Sequence, residues 1–281
     1  MTLISMCPLP EEASEEVVFS GHRTFPVERW KSDAQVHAID QIAEEIPVAM
    51  VYNGISHAVM LGTPTRLEQF GLGFSLSEGI LQHPGELYGC DIVARKEGIE
   101  LQMTIPQQRF AELKQRRRNM TGRTGCGLCG TESLQQVQRA MPQLATGQQF
   151  HAQGLHRALE TMPLMQSLQG LTGAVHAAAW ADIEGNILLL EEDIGRHNAL
   201  DKLMGALATG DYDRTQGLVL ITSRASYEMV QKAATLGIPM LAAVSAPTSM
   251  AIEVAQNVGL TLVGFARKGG HVVYAHSERF I

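Results

Sequence analysis

Cys126 and Cys129 stand in the run Gly125-Cys126-Gly127-Leu128-Cys129-Gly130, with glycine before, between and after the thiols. The attacking form in sulfur exchange is the thiolate, which a lowered pKa favours. Arg123 and the Arg116, Arg117, Arg118 cluster could supply the positive field. Glycine adopts many backbone conformations, so the loop can move and a bulky partner can approach its main chain. A sulfur relay needs both, because a donor must present a persulfide and the loaded loop must reach a second site. Other chemistries use the same spacing. A zinc site needs four ligands, and His151, His156 or His176 could complete one only through folding. A thioredoxin-like motif opens a helix after a strand, and a zinc deaminase places proline before its first cysteine, where this chain has Gly125. On spacing alone, redox or sulfur chemistry, zinc and chance all stay open.

Four further runs carry polar groups. Glu192-Asp193-Ile194-Gly195-Arg196-His197-Asn198 leads through Asp201 to Lys202 at a strand-to-helix junction. Arg196, His197 and Asn198 at a helix N-terminus could hold a phosphate or a guanine edge; a well-capped helix with solvated charges explains them too. Ser223-Arg224-Ala225-Ser226 and Ser245-Ala246-Pro247-Thr248-Ser249 each follow a short apolar strand and precede a helix. They bring hydroxyls and backbone N–H groups to one edge, although ordinary capping by Ser226 and Ser249 would also account for them. Phe265-Ala266-Arg267-Lys268-Gly269-Gly270 pairs two cations with two glycines. That run could grip a pyrophosphate or form a basic hairpin turn. His176, Trp180 and Met229 read as core or pocket wall.

The elements that must position these groups fall into two rhythms. Residues 1 to about 30 lack periodicity and read as weakly structured. Val48 to Leu61 reads as a hairpin about Asn53-Gly54, and Asp91 to Ile105 as a second about Glu97-Gly98. Thr65 and Glu68 form a capping box for a helix whose Leu67, Phe70 and Phe74 share a face. Gln107 to Met120 is helical in composition, Thr121 to Gly130 a loop, Thr131 to Ala140 a helix and Met141 to Gln153 a polar linker. From Gly154 the pattern becomes α/β. His176–Trp180, Ile187–Leu190, Leu218–Thr222, Met240–Val244 and Leu260–Phe265 are strands, with helices between them marked by Leu200, Leu203, Met204, Leu207 and by Met250, Val254, Ala255, Val258. Such alternation predicts a sheet covered by helices.

Composition sets bounds on partners. With 281 residues, 45% hydrophobic and 18% charged, the chain can build one large domain or two ordinary ones. A net charge of −7 and only 5% aromatic residues argue against general nucleic-acid binding. No apolar run is long enough to cross a bilayer, and the first fifteen residues lack an export pattern. Those two features lead to the expectation of a cytoplasmic protein whose thiols stay reduced.

Taken together, Thr121–Gly130, Glu192–Lys202, Ser223–Ser226 with Glu228-Met229-Val230, Ser245–Ser249 and Leu260–Phe265 resemble the formate dehydrogenase accessory sulfurtransferase family (FdhD/NarQ). Val51–Gly54 and Gly73–Gly79 fit the same pattern. The resemblance implies an α/β fold, with a cytidine-deaminase-like layered C-terminal domain and a smaller α+β N-terminal domain, usually as a homodimer. It divides the chain into 1–122 as tail and small domain, 123–150 as CxxC loop and linker, and 151–281 as cofactor-binding domain. It further implies that a cysteine desulfurase gives sulfur to a Cys126 persulfide, with Cys129 assisting. The acceptor would be the molybdenum bis(molybdopterin guanine dinucleotide) cofactor destined for formate dehydrogenase. Phe265, Ala266, Arg267, Lys268, Gly269 and Gly270 would contact that cofactor, with Arg196 and His197 alongside, and no structural metal is expected. Lys268-Gly269-Gly270-His271 departs from the commoner family ending. A non-catalytic, cofactor-binding chaperone is the alternative.

Overall fold

The computed structural model describes residues 20–120, 141–144 and 148–281. Its strands form three sheets. The first is a two-stranded antiparallel ribbon of β1 (His22–Lys31) and β2 (Ala34–Ala43). Residues 20–30 were expected to be weakly structured, so β1 is a correction. Phe25, Trp30, Val36, Ile39 and Ile42 are exposed and both faces of the ribbon mix charge with apolar groups, so no buried face imprints a period on the sequence. Register is set by the two-residue turn at Ser32-Asp33, where Ser32 takes a φ of 54°.

β3 (Ile46–Tyr52) and β4 (Ile55–Gly62) form the expected hairpin, with Asn53 and Gly54 both at positive φ. β5 (Gly89–Arg95) and β6 (Gly98–Thr104) form the other, and the four strands join in the order β4-β3-β6-β5 through a parallel β3–β6 pairing. Val48, Met50, Ile99, Leu101 and Met103 point to one face and are buried with Phe70 of α1 (Leu67–Ser77). The capping box proposed for α1 does not form. Arg66 is the N-cap in a left-handed conformation, and Thr65 Oγ1 instead accepts from Lys202 Nζ at 3.3 Å. α2 (Gln107–Met120) follows β6.

The stretch read as a polar linker is anchored, and a helix begins inside it. Leu144 and Phe150 are buried, Leu144 N–H donates to Val258 O, and Phe150 bridges to Phe280. α3 (Ala152–Met165) and the short α4 (Ser167–Thr172) were both missed. Leu155, Ala158 and Met162 give α3 an apolar face, but Gly154 and Pro163 interrupt its helical composition.

The third sheet has six strands in the order β12-β11-β10-β9-β7-β8. Its members are β7 (His176–Asp182), β8 (Ile187–Asp193), β9 (Gly217–Ile221), β10 (Met240–Ala243), β11 (Thr261–Arg267) and β12 (Gly270–Ala275). β9, β10 and β11 run parallel; β7, β8 and β12 are antiparallel to their neighbours. The strands alternate with α5 (Arg196–Thr209), α6 (Tyr227–Thr235) and α7 (Ser249–Val258). One face packs on these helices, and the other on α3 through Leu155, Ala158 and Met162. Ser249 is the first residue of α7 and Thr248 its cap, accepting from Ala251 N at 3.3 Å.

One hydrophobic core runs from the four-stranded sheet through α1 and α5 to the six-stranded sheet. α1 and α5 cross at main-chain distance. A Cβ at Gly73 would lie 1.7 Å from Asp201 O, and one at Gly205 would lie 1.9 Å from Gln69 O, so only hydrogen fits at either position.

Candidate functional site

Because β9, β10 and β11 are parallel, the chain leaves the same sheet edge after each of them. The Thr222–Ser226 and Val244–Thr248 loops are zipped together by their main chains. Ala225 N donates to Ala246 O at 3.3 Å, Thr248 N to Ala225 O at 3.0 Å, and Phe265 N to Ser245 O at 3.1 Å. Gly264 lets Pro247 lie against β11, since a Cβ there would be 2.7 Å from the proline ring. β7 runs the other way, so its first residue, His176, reaches this edge, with Nδ1 3.4 Å from Thr222 Oγ1. His176 pairs in register with Asp193, the last residue of β8, which brings the start of α5 alongside. Ligands bind in open α/β sheets at this kind of edge, beyond the strand ends. At roughly 4.8 Å per strand, the row from β11 to β8 spans about 19 Å.

Within the Glu192–Lys202 run the structure separates two kinds of residue. Asp193 is fully buried: Oδ2 is 2.7 Å from Lys202 Nζ and accepts from Thr63 N at 3.0 Å, while Oδ1 accepts from Gly195 N at 2.8 Å and Asn198 Nδ2 at 3.0 Å. Asn198 Nδ2 also donates to Leu61 O at 2.8 Å. Asn198 is therefore consumed in joining β4 to α5, which corrects its assignment as a ligand group. Glu192 is likewise occupied, accepting from the main chain of Leu168 and Gln169 at the start of α4. Asp201 pairs with Lys232 at 2.8 Å and accepts from Ser77 Oγ at 2.6 Å.

Arg196 and His197 face the edge. His197 Nε2 lies 2.6 Å from Oε2 of Glu228, in the first turn of α6. This close contact with the imidazole holds the Glu228 carboxyl below its usual pKa. Burial, followed by the Arg196 charge, pushes the His176 pKa down, so a neutral imidazole is favoured beside the Arg196 guanidinium. Ser226 is the N-cap of α6, but its hydroxyl makes no cap bond and is buried with no partner among the described residues. Glu228 was not singled out as a site residue. Its signal was the pairing of two i, i+4 spacings, His197/Asp201 and Glu228/Lys232, whose charges complement across α5 and α6.

The Phe265–Gly270 run is the end of β11 and its turn into β12. Phe265 has a φ of 48° and is 44% exposed. Arg267 Nε donates to Val244 O at 3.3 Å, tying the turn to the β10 loop. Lys268 is exposed, 3.6 Å from Glu160 of α3. Gly269 and Gly270 face open space. The Ala266 methyl is buried in the core beneath α3, so Ala266 can offer only its main chain.

Cys7, Arg123, Cys126 and Cys129 lie outside the described residues, as do the loop and helix expected over 121–140 and the side chains of Arg116, Arg117 and Arg118. Among the described residues the free cysteine is Cys90, whose thiol is pushed up to about 11 by burial and by Glu68 and Asp91. It is protonated near neutrality and a poor nucleophile. His156, a candidate zinc ligand, instead meets His271, Nε2 to Nδ1 at 3.1 Å. Among the described residues no three His, Cys, Asp or Glu side chains are grouped to hold a metal, and no helix is long and apolar enough to cross a membrane.

Fold and edge define an α/β protein with helices on both faces of a mixed sheet and a cationic, glycine-bearing rim at its parallel strand ends. The FdhD/NarQ family model matches residues 43–281. A protein of Cupriavidus necator named sulfur carrier protein FdhD is 54% identical over 258 residues, covering 92% of this chain and 90% of its own. A Xanthomonas euvesicatoria pv. vesicatoria protein of the same name is 51% identical over 266 residues, with 95% of each covered. A crystal structure of a candidate formate dehydrogenase accessory protein from Desulfotalea psychrophila superposes with a TM-score of 0.71 at 22% identity, covering 92% of this chain and 99% of that one. The chain belongs to the FdhD/NarQ family.

Proposed function

We propose that this chain is a cytoplasmic sulfur carrier for formate dehydrogenase maturation, in which Cys126 takes sulfur from a cysteine desulfurase and delivers it to the molybdenum bis(molybdopterin guanine dinucleotide) cofactor. The observation that carries this reading is the convergence of Arg196, His197, Arg267 and two hydroxyl-bearing loops on one sheet edge. An acidic protein can bind a pyrophosphate-bearing substrate only through such local cations and main-chain donors. The relatives' name, sulfur carrier protein FdhD, supports the same role. So does the glycine-flanked thiol pair.

The residues suit that cargo. Gly269 and Gly270 offer open main chain for close approach, and Arg267 and Lys268 stand beside them. The cofactor brings its own metal–dithiolene chemistry; the protein binds, orients and supplies sulfur. In loading, the Cys126 thiolate attacks the outer sulfur of the donor persulfide, forming Cys126–S–SH and releasing the donor thiolate. Attack by Cys129 on the inner sulfur then expels hydrosulfide and leaves a Cys126–Cys129 disulfide, whose two thiols have furnished the electrons. A cellular thiol reductant resets the pair. The cytidine-deaminase-like layering and the homodimer belong to the same proposal.

Incubation with a cysteine desulfurase and cysteine, followed by intact-mass measurement, should show one added sulfur in the wild type and none in Cys126→Ala. A Cys126→Ala protein that restores formate dehydrogenase maturation in cells would leave a non-catalytic chaperone as the reading.

A further inference from the structure

The turn between β11 and β12 has little to hold it from within. Its ladder slips register between Gly264 and Arg267, Gly269 takes a φ of 83°, and β12 is an edge strand of its sheet. α3 reaches this hairpin with two side chains one helical turn apart. His156 Nε2 meets His271 Nδ1 at 3.1 Å, and Glu160 Oε1 lies 3.6 Å from Lys268 Nζ. Residues at i and i+4 share one helix face, so the two contacts bracket Gly269-Gly270. The Glu160–Lys268 pair is largely exposed and is worth little in water. The histidine pair is the firmer leg. Both rings are half-buried and meet edge to face with centroids 5.2 Å apart, and His271 also lies against the Phe280 ring at 5.1 Å.

We propose that α3 latches the β11–β12 turn through His156 and His271, and that protonation of both rings releases it. The hydrogen bond places one proton between two facing nitrogens. In the neutral pair one ring donates that proton and the other accepts it with a lone pair. A first proton from solvent settles on an outward nitrogen and leaves the bond standing. A second can go only onto the accepting lone pair, which sets two N–H groups and two positive charges face to face. Burial, and then His156, hold the His271 pKa down, as a latch closed near neutrality requires. The other charged groups around the pair are engaged elsewhere. Arg267 donates to Val244 O at 3.3 Å, Arg279 to Pro239 O at 3.1 Å, Glu278 meets His276 at 2.8 Å, and Glu160 faces Lys268. Because the released state binds more protons, the latch is fully closed above about pH 6.5 and weakens as pH falls towards the folded pKa. Its bearing on function rests on the reading proposed above, which gives this turn to the phosphates; the latch itself does not.

Hydrogen exchange at the backbone amides of 268–273, corrected for intrinsic rates, tests the latch in the full chain. No ligand is added, so the outcome does not depend on the proposed function. Wild-type protection should fall about fivefold between about pH 7.5 and about pH 5, the worth of one hydrogen bond of about 1 kcal/mol, while protection of β9 stays constant. His271→Gln, which takes up no proton, should show the same protection at both pH values. A pair that merely packs α3 on β12 gives a wild type with no pH response, and that result overturns the inference. So does an equal fall in β9, which reports global opening, or a wild-type pH response in His271→Gln. Should that variant not fold, His156→Gln decides. Its amide oxygen can accept from a protonated His271, so acid should no longer loosen the turn, and a fivefold fall there overturns the inference.

Discussion

The Asp193–Lys202 and His197–Glu228 pairs both draw their base from the first two turns of α5, and each joins it to an acid on another element. Their surroundings are opposite. Both members of the first pair are fully buried and the acid receives four donors; both members of the second are about three-tenths exposed and the acid keeps an oxygen open. Burial makes a pair costly to break, since one partner alone leaves an unpaired charge in a low-dielectric interior. Exposure makes it cheap to rearrange and available to a ligand. One short run thus anchors both a buried structural lock and a partly exposed pair that can rearrange.

Breaking the lock should have the largest effect. Lys202→Ala strands the Asp193 carboxylate and should cost about 3–5 kcal/mol, read as a lowered urea midpoint with an unchanged slope. Thr248→Ala removes the α7 cap bond and should cost about 1 kcal/mol in the same assay. His197→Gln should cost less than about 1 kcal/mol, and a loss comparable with Lys202→Ala would show that the two pairs do not differ in this way. The smallest effect concerns protons. Burial and Arg196 hold the folded His176 pKa below its unfolded value, so the unfolded chain binds more protons in that window. Stability from His176 is complete above about pH 6.5 and declines as pH falls below it towards the folded pKa. The urea midpoint should drop between about pH 7.5 and about pH 5.5, and less in His176→Gln; equal drops would remove His176 from the account.

What could be read in advance follows from the range of each interaction. Asn53-Gly54 marks its hairpin because the turn is local, and Leu200, Leu203, Met204 and Leu207 mark α5 because one face is buried. The loops after β9 and β10 were placed on a common edge from strand-loop-helix order alone. The role of Asn198 was not visible, because Leu61 is 137 residues away along the chain. Thr65 was misread for the same reason: its hydroxyl serves Lys202, not the helix it precedes. The β1–β2 ribbon escaped because neither face is buried, and Glu228 because its meaning depends on His197 from a different helix.

The contact of α1 with α5 at Gly73 and Gly205 has a mechanical consequence. Interlocked backbones of this kind cannot glide, since a slip of one helical turn, about 5.4 Å, would drive side chains into space fit only for hydrogen. The two larger sheets therefore tumble as a single block, and whatever travel sulfur delivery demands must be supplied by segments away from that crossing.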